Sequence, residues 1–326
     1  MSTPPLEPPL AAAREYLARS RLLRVDLGEA ARYAATVAGT PPGFWGPPYL
    51  RCADGFAAAD VITFTLAVMG LNFCFWNPEP GAPAWRVRGK TGSGALTGSF
   101  LRGLEAGMPL TDPGWYASLA MPELRGLLRG DPEGPELPPL IEERLRILTE
   151  MGSWLGAQPP TRMLSGFQDA WELAAHLGQS LEGFRDVTAP IAPLGGERIA
   201  FLKRAQLFTS ALWPLLGDQA PVWLGARGRL TAFADYRVPQ SLRHVGVLRY
   251  GPELAAQVDA GRLLEPGGAT ELALRCGALV GTSVIARAAS TRERTVIDVD
   301  VDPALWWMAH QATDMAPYHR CLTHWY

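Results

Sequence analysis

Hydrophobic positions along the chain recur mostly at helical spacing. Residues 140–155 give the clearest case: Ile141, Leu145, Ile147, Leu148 and Met151 share one face, while Glu142, Glu143, Arg144 and Arg146 fall mostly on the other. Residues 11–38 repeat in the same way through Tyr16, Leu17, Leu22, Leu23 and Val25, which predicts helices with a turn near Asp26 and Gly28. Helices are also predicted over 167–181 and 199–216, and a core helix over the mostly apolar TELALRCGALVGTSVIARAA that starts at Thr270. Thr111 or Asp112, just before Pro113, reads as a helix cap. Alternation of period two is scarce. NFCFW at 72–76 alternates well enough for a strand ended by Asn77-Pro78, with 85–89 as its antiparallel partner. TVIDVDVD at 295–302 alternates strictly but runs into Pro303 and a Trp-rich helix. The pattern predicts a mainly α protein with a small antiparallel β-sheet.

Proline and glycine mark the joints. Residues 1–9 read as a loose tail, and FRDVTAPIAPLGG at 184–196 is the best candidate boundary. The expectation is one globular unit over 1–326, with a possible division into a helical part with the small sheet (10–190) and a second part (191–326). The loop GTPPGFWGPPYL (39–50) presents Phe44, Trp45 and Tyr49, either as a packing plug or as a ligand wall. TGSGALTGSF from Thr91 invites a phosphate-loop reading, but the GxxxxGK[ST] order is absent, so capping and close packing are the expected uses. The apolar stretch 57–76 is interrupted by Asp60, Gly70 and Asn72 and reads as a buried helix running into a strand, not a membrane span.

Composition narrows the partners. Hydrophobic residues make up 48% of the 326 and charged residues 19%, enough apolar content for a real core. The net charge of −2 lacks the basic excess of a protein that grips duplex nucleic acid non-specifically, and favours a small-molecule ligand. Cys52, Cys74, Cys276 and Cys321 show no metal-binding spacing, so neither a zinc site nor a disulfide scaffold is expected. MSTPPLEPPL lacks the basic-then-apolar order of a secretory signal. Together these give a cytoplasmic expectation.

The stretch most suggestive of chemistry is LTAFADYRVPQSLRHVGVLRY at 230–250. Asp235 follows Phe233-Ala234 and precedes a helix start marked by Pro239, where free amides and the helix dipole favour an ionised carboxylate. Taken alone, that position suits a simple helix cap. The words FADYRVPQ and LRHVGVLRY, however, resemble the signature of the queuosine salvage protein family. LNFCFW at 71–76 and KRAQLF at 203–208 are similar to further words of that family. The same stretch is more loosely similar to the closing helix of helix-hairpin-helix base-excision glycosylases, which carry an Asp at the equivalent place. The resemblance runs from about Leu71 onward, is sharp at 233–240, and implies a DNA-glycosylase-like helical architecture in the second half.

What the resemblance implies is hydrolysis of queuosine 5'-monophosphate to queuine and ribose 5-phosphate, with no cofactor and no metal. Breaking an N-glycosidic bond builds positive charge on the sugar and requires a carboxylate beside the anomeric carbon; Asp235 is the candidate. Lys203 is the second, either orienting Asp235 or meeting phosphate, with a snorkelling surface lysine as the alternative. Queuine is a 7-deazaguanine and lacks the ring nitrogen at which purines are usually protonated, so placed donors must stabilise the leaving base. Asn72 is the candidate reader of the base, and Phe75, Trp76 and Phe233 its stacking partners; Arg237 and Gln240 flank the acid. His319 and Arg320, in the terminal PYHRC, are the candidates for phosphate. His176, His244 and His310 are expected to be structural. The rival readings are a DNA base-excision glycosylase and a non-catalytic carrier of modified nucleotides.

Overall fold

The computed structural model describes residues 5–38, 55–79 and 81–326, so the 39–50 loop lies outside the described residues. Thirteen α-helices and six short strands are found there, which agrees with the mainly helical expectation. The chain forms two compact units interleaved in sequence.

The first unit draws on the N-terminal segment, Asp186–Gln206 and Arg227–Leu322. Its centre is α12 (Ala269–Ala289), against which α1 (Leu10–Arg19), α2 (Leu27–Ala38), α10 (Arg237–His244) and α13 (Asp298–Gln311) all pack. By length and composition α12 is apolar enough to cross a membrane, yet 78% of that stretch is buried and it carries buried Glu271 and Arg275. It is the core helix that the sequence predicts. Gly277 and Gly281 let its neighbours come close: a Cβ at Gly277 would lie 3.2 Å from Leu248, and one at Gly281 3.0 Å from Leu242. Leu248 belongs to β4 (Leu248–Tyr250), which pairs antiparallel with β1 (Leu23–Val25). That strand replaces the helical reading of Leu23 and Val25. β5 (Leu263–Leu264) and β6 (Arg320–Cys321) form a parallel pair in the same unit. Asp298 to Asp302 are not a strand despite their alternation. They open α13, where Asp300 accepts the Ile297 amide at 3.3 Å, and Pro303 is accommodated within the helix.

The second unit comprises the described residues from 55 to Arg185, Leu207–Ala226 and Thr323–Tyr326. Helix α7 (Ile141–Gly156) buries Ile147, Leu148, Met151 and Leu155 as its pattern predicts, and packs against α3 (Ala58–Gly70) and α5 (Pro113–Ala117). Asp112 caps α5 by accepting the Gly114 amide at 2.8 Å. α4 (Gly92–Glu105) takes up the glycine-rich TGSGALTGSF, and a Cβ at its Gly103 would come within 2.9 Å of Leu110 and Leu127. Within the segment itself, a Cβ at Gly98 would lie 3.4 Å from the Val87 carbonyl, and Gly92 has a positive φ of 62° at the helix start. α8 (Ala170–Ser180) begins at the Asp169 cap, and α9 (Lys203–Leu216) starts in the first unit and ends in the second.

Two expectations fail in this unit for one reason. Residues 72–76 are not a strand, and Arg144, read as solvent-facing, is completely buried. Its guanidinium donates to the carbonyls of Leu71 (2.7 Å), Phe73 (2.7 Å) and Cys74 (3.0 Å), while its Nε donates to Pro139. It also lies 4.1 Å from the centre of the Phe73 ring. The carbonyls that a partner strand would have bonded are taken by one side chain, and Cys74 adopts a left-handed φ of 39°. The segment 85–89 therefore finds another partner: β2 (Arg86–Val87) pairs with β3 (Lys90–Thr91) across Arg88-Gly89, both at positive φ. Replacing Arg144 with Met strands several buried carbonyls and is expected to cost about 3 kcal/mol or more. Urea denaturation measures it; a loss under about 1 kcal/mol would show that these bonds do not hold the segment.

Candidate active site

The residues around Asp235 form a short extended segment pinned by buried polar side chains from three helices. Gln206, on α9, accepts the Thr231 amide at 2.8 Å and donates to the Phe201 carbonyl at 2.8 Å. Asp302, on α13, accepts the Phe233 amide at 2.8 Å. Arg275, on α12, donates through Nε to the Ala234 carbonyl at 3.2 Å. All three are at most 2% exposed. Backbone groups that would otherwise be orphaned inside the unit are thereby satisfied, and residues 231–234 cannot shift without breaking a buried bond.

Asp235 comes at the end of this held segment, just outside α10. Its Oδ1 accepts the amides of Arg237 (2.7 Å) and Val238 (3.1 Å), so the capping role is real. Its Oδ2 takes no hydrogen bond among the described residues, which leaves half of the carboxylate available. Arg237 donates to Gln240 Oε1 at 2.9 Å, and its guanidinium lies 4.9 Å from the Tyr318 ring. Gln240 in turn donates to the Ala316 carbonyl at 2.8 Å. Tyr236 and Tyr318 approach to 4.8 Å between ring centres and complete an aromatic and cationic rim beside the acid. Arg237 is half-buried and has no carboxylate partner among the described residues.

Lys203 opens α9 at 3% exposure. Burial pulls its ammonium down to about 8, helped by the charges of Arg204 and Arg275 and opposed by Asp235 and Asp302. The snorkelling alternative does not apply to a lysine this deep. Asp302, a residue the sequence reading passes over, responds in the opposite sense. Burial, followed by the Asp235 charge, pushes its carboxyl well above the ordinary carboxylate range. Paired carboxyls held in different environments are a recurrent arrangement for acid and base work. The motif TVIDVDVD contained the signal, but an Asp within an alternating run reads as strand surface unless its helix is known.

The other candidates divide. Phe233 is buried in this cluster at 3% exposure. His319 is 1% exposed, and burial together with Arg275 pulls it down to about 3. It is neutral at physiological pH and brings no positive charge to a phosphate. Arg320 lies half-buried on β6, paired with Leu263. Asn72, Phe75 and Trp76 belong to the other unit. There Phe75 stacks on Trp85 at 6.2 Å, Trp76 is 4% exposed, and Asn72 sits half-buried in the segment that Arg144 holds. His176 packs between Trp154 and Phe167, and His310 lies 3.8 Å from the Trp306 ring, consistent with structural roles. Among the described residues no cluster of His, Cys, Asp or Glu is placed to hold a metal ion.

Residues 54–326 match the family described as queuosine salvage protein. The chain belongs to that family. It is 32% identical to a queuosine 5'-phosphate N-glycosylase/hydrolase of Sphaerobacter thermophilus over 97% of both chains. It is 33% identical to a protein of the same name from Bos taurus over 77% of this chain and 78% of the relative. In Schizosaccharomyces pombe a relative so named is 27% identical over 74% and 72%. Membership of the queuosine salvage family gives the Lys203–Asp235 coupling a direct test. Asp235 supports the charged form of Lys203, so Asp235→Asn is expected to move the Lys203 titration below about 8. NMR of lysine side chains reports it, and an unmoved titration would mean the two groups do not sense each other.

Proposed function

We propose that this protein hydrolyses the N-glycosidic bond of queuosine 5'-phosphate, releasing queuine and ribose 5-phosphate in queuine salvage. The observation that carries the reading is the half-satisfied Asp235 carboxylate at the end of a rigid segment, electrostatically coupled to a buried lysine and a second, buried carboxyl. Names shared by relatives that match 97% and 77% of the chain supply the substrate class.

In this reading the open Oδ2 of Asp235 faces the positive charge that develops on the ribose as the bond to the base breaks. Water completes the reaction at the anomeric carbon. Lys203, charged below about pH 8, fixes the Asp235 carboxylate electrostatically. Asp302, its carboxyl raised well above the ordinary range by burial, is the candidate for the donor that a 7-deazaguanine leaving group needs in place of ring protonation. Asp235→Asn is expected to lower release of free base by about 100-fold or more while nucleotide binding persists. Chromatographic quantitation of queuine from queuosine 5'-monophosphate measures this. A wild type that binds without cleaving would turn the reading into that of a carrier.

The phosphate calls for a cation that is charged, reachable and not already paired. Arg237 meets these conditions: it is half-buried beside Asp235, oriented by Gln240 and Tyr318, and free of carboxylate partners among the described residues. Replacing Arg237 with Met is expected to raise KM for the 5'-phosphate about 10- to 100-fold, the worth of one charge-assisted contact, with little change for the nucleoside. Equal losses on both substrates would remove Arg237 from the phosphate.

A further inference from the structure

Asp186 and Arg275 form a two-pronged ion pair, with Nη1 2.9 Å from Oδ1 and Nη2 2.6 Å from Oδ2. Their side chains are 6% and 3% exposed. Neither residue belongs to the chemistry assigned above, yet each end of the pair is tied to it. Asp186 Oδ2 also accepts the backbone amide of Lys203 at 3.2 Å, and the Asp186 carbonyl accepts the amide of Leu202 at 3.2 Å. Leu202 has a φ of 47°, a left-handed conformation uncommon for leucine, so the entrance to α9 is held by Asp186 through two successive amides. At the other end, Arg275 Nε bonds the Ala234 carbonyl, one residue before Asp235. The Phe201 ring, 3.8 Å from the guanidinium carbon, fixes the plane of the fork, and Glu271 stands 3.6 Å from Nη1.

Stability alone does not account for such a pair, because a buried ion pair can often be exchanged for apolar residues of similar volume without loss. What an apolar pair cannot do is bond two backbone segments in fixed register. We infer that Asp186 and Arg275 are positioning residues that set the separation between Lys203 and Asp235. The inference rests on the reading of those two residues as the reacting pair. An arginine with its three donor nitrogens in one plane can grip both Asp186 oxygens and the Ala234 carbonyl together; a lysine, with one nitrogen, cannot.

Arg275→Lys is therefore the first variant, since it keeps the charge and discards the geometry. Expected is a fall in kcat of about 10- to 100-fold, as for a reacting group displaced by about 1 Å, with KM within about threefold. The Lys203 titration should move below about 8, because the supporting carboxylate has receded while the Arg275 charge has been replaced by another. The double variant Asp186→Leu with Arg275→Met, which removes both charges of the fork together, is the control for folding. It should keep a native circular dichroism spectrum and show the same loss of kcat. A merely structural pair would lower the folded fraction but leave kcat per active site and the Lys203 titration unchanged, and that result overturns the inference. If the wild type releases no base, the proposed function fails separately. The titration, which needs no turnover, then decides the clamp by itself.

Discussion

The constraint on which the first unit depends is the burial of Lys203. An ammonium at 3% exposure has lost its water, and nearby carboxylates, Asp235 first and then Asp302, support its charged form there. The unfolded chain holds that proton with an ordinary pKa of 10.5, while the folded protein holds it only to about 8. The folded state therefore carries the cost of the buried charge at all pH values below 8, and the cost is relieved as pH rises from about 8 to 10.5. Asp302 runs the other way. Its raised carboxyl pKa means that stability contributed by the protonated form is lost as pH rises through the folded value. Lys203 and Asp302 thus share one small region with Asp235, whose charge supports the ammonium of the first and opposes ionisation of the second.

Such a group of charges is stable only if the backbone carrying it cannot relax. Residues 231–234 are bonded by Gln206, Asp302 and Arg275, from α9, α13 and α12 respectively. Each helix has its own reason to be where it is: α12 through its apolar length and small residues, α10 and α13 through their mutual packing and the Ser241 hydroxyl donated to the Leu305 carbonyl at 2.6 Å. The site is consequently a property of the whole unit. Asp235 is close in sequence to very few of the residues that place it.

That separation explains what was legible in the sequence. The helices announced themselves through periodicity, as in α7 and α12, because an apolar stripe is a local signal. Asp235 and Lys203 were legible through short words shared with a family. Asp302, Arg275 and Gln206 were not, since a polar residue on an amphipathic or apolar helix reads as surface until its neighbours are known, and Asp186 was not, since it lies in an irregular connection. The strand expected at 72–76 failed likewise. Alternation was present, but whether those carbonyls meet a strand or a guanidinium depends on Arg144, some seventy residues away. Local pattern specifies the demand for hydrogen bonds, and distant residues decide who meets it.

The cap observed at Asp235 and the chemistry proposed for it are compatible, and the first would serve the second. A carboxylate free to rotate would spend its charge on whichever donor was nearest, and its orientation toward a substrate would be an average. Here Oδ1 is tied by two amides at the entrance to α10, which fixes the plane of the group and turns Oδ2 into a single defined acceptor. Bonding one oxygen also disperses part of the negative charge, which weakens the carboxylate as a nucleophile while leaving its field intact. Under the proposed function, that favours Asp235 as a stabiliser of positive charge on the sugar over Asp235 as a group that forms a bond of its own. The cap that made the residue look ordinary in the sequence is what gives its other oxygen a direction.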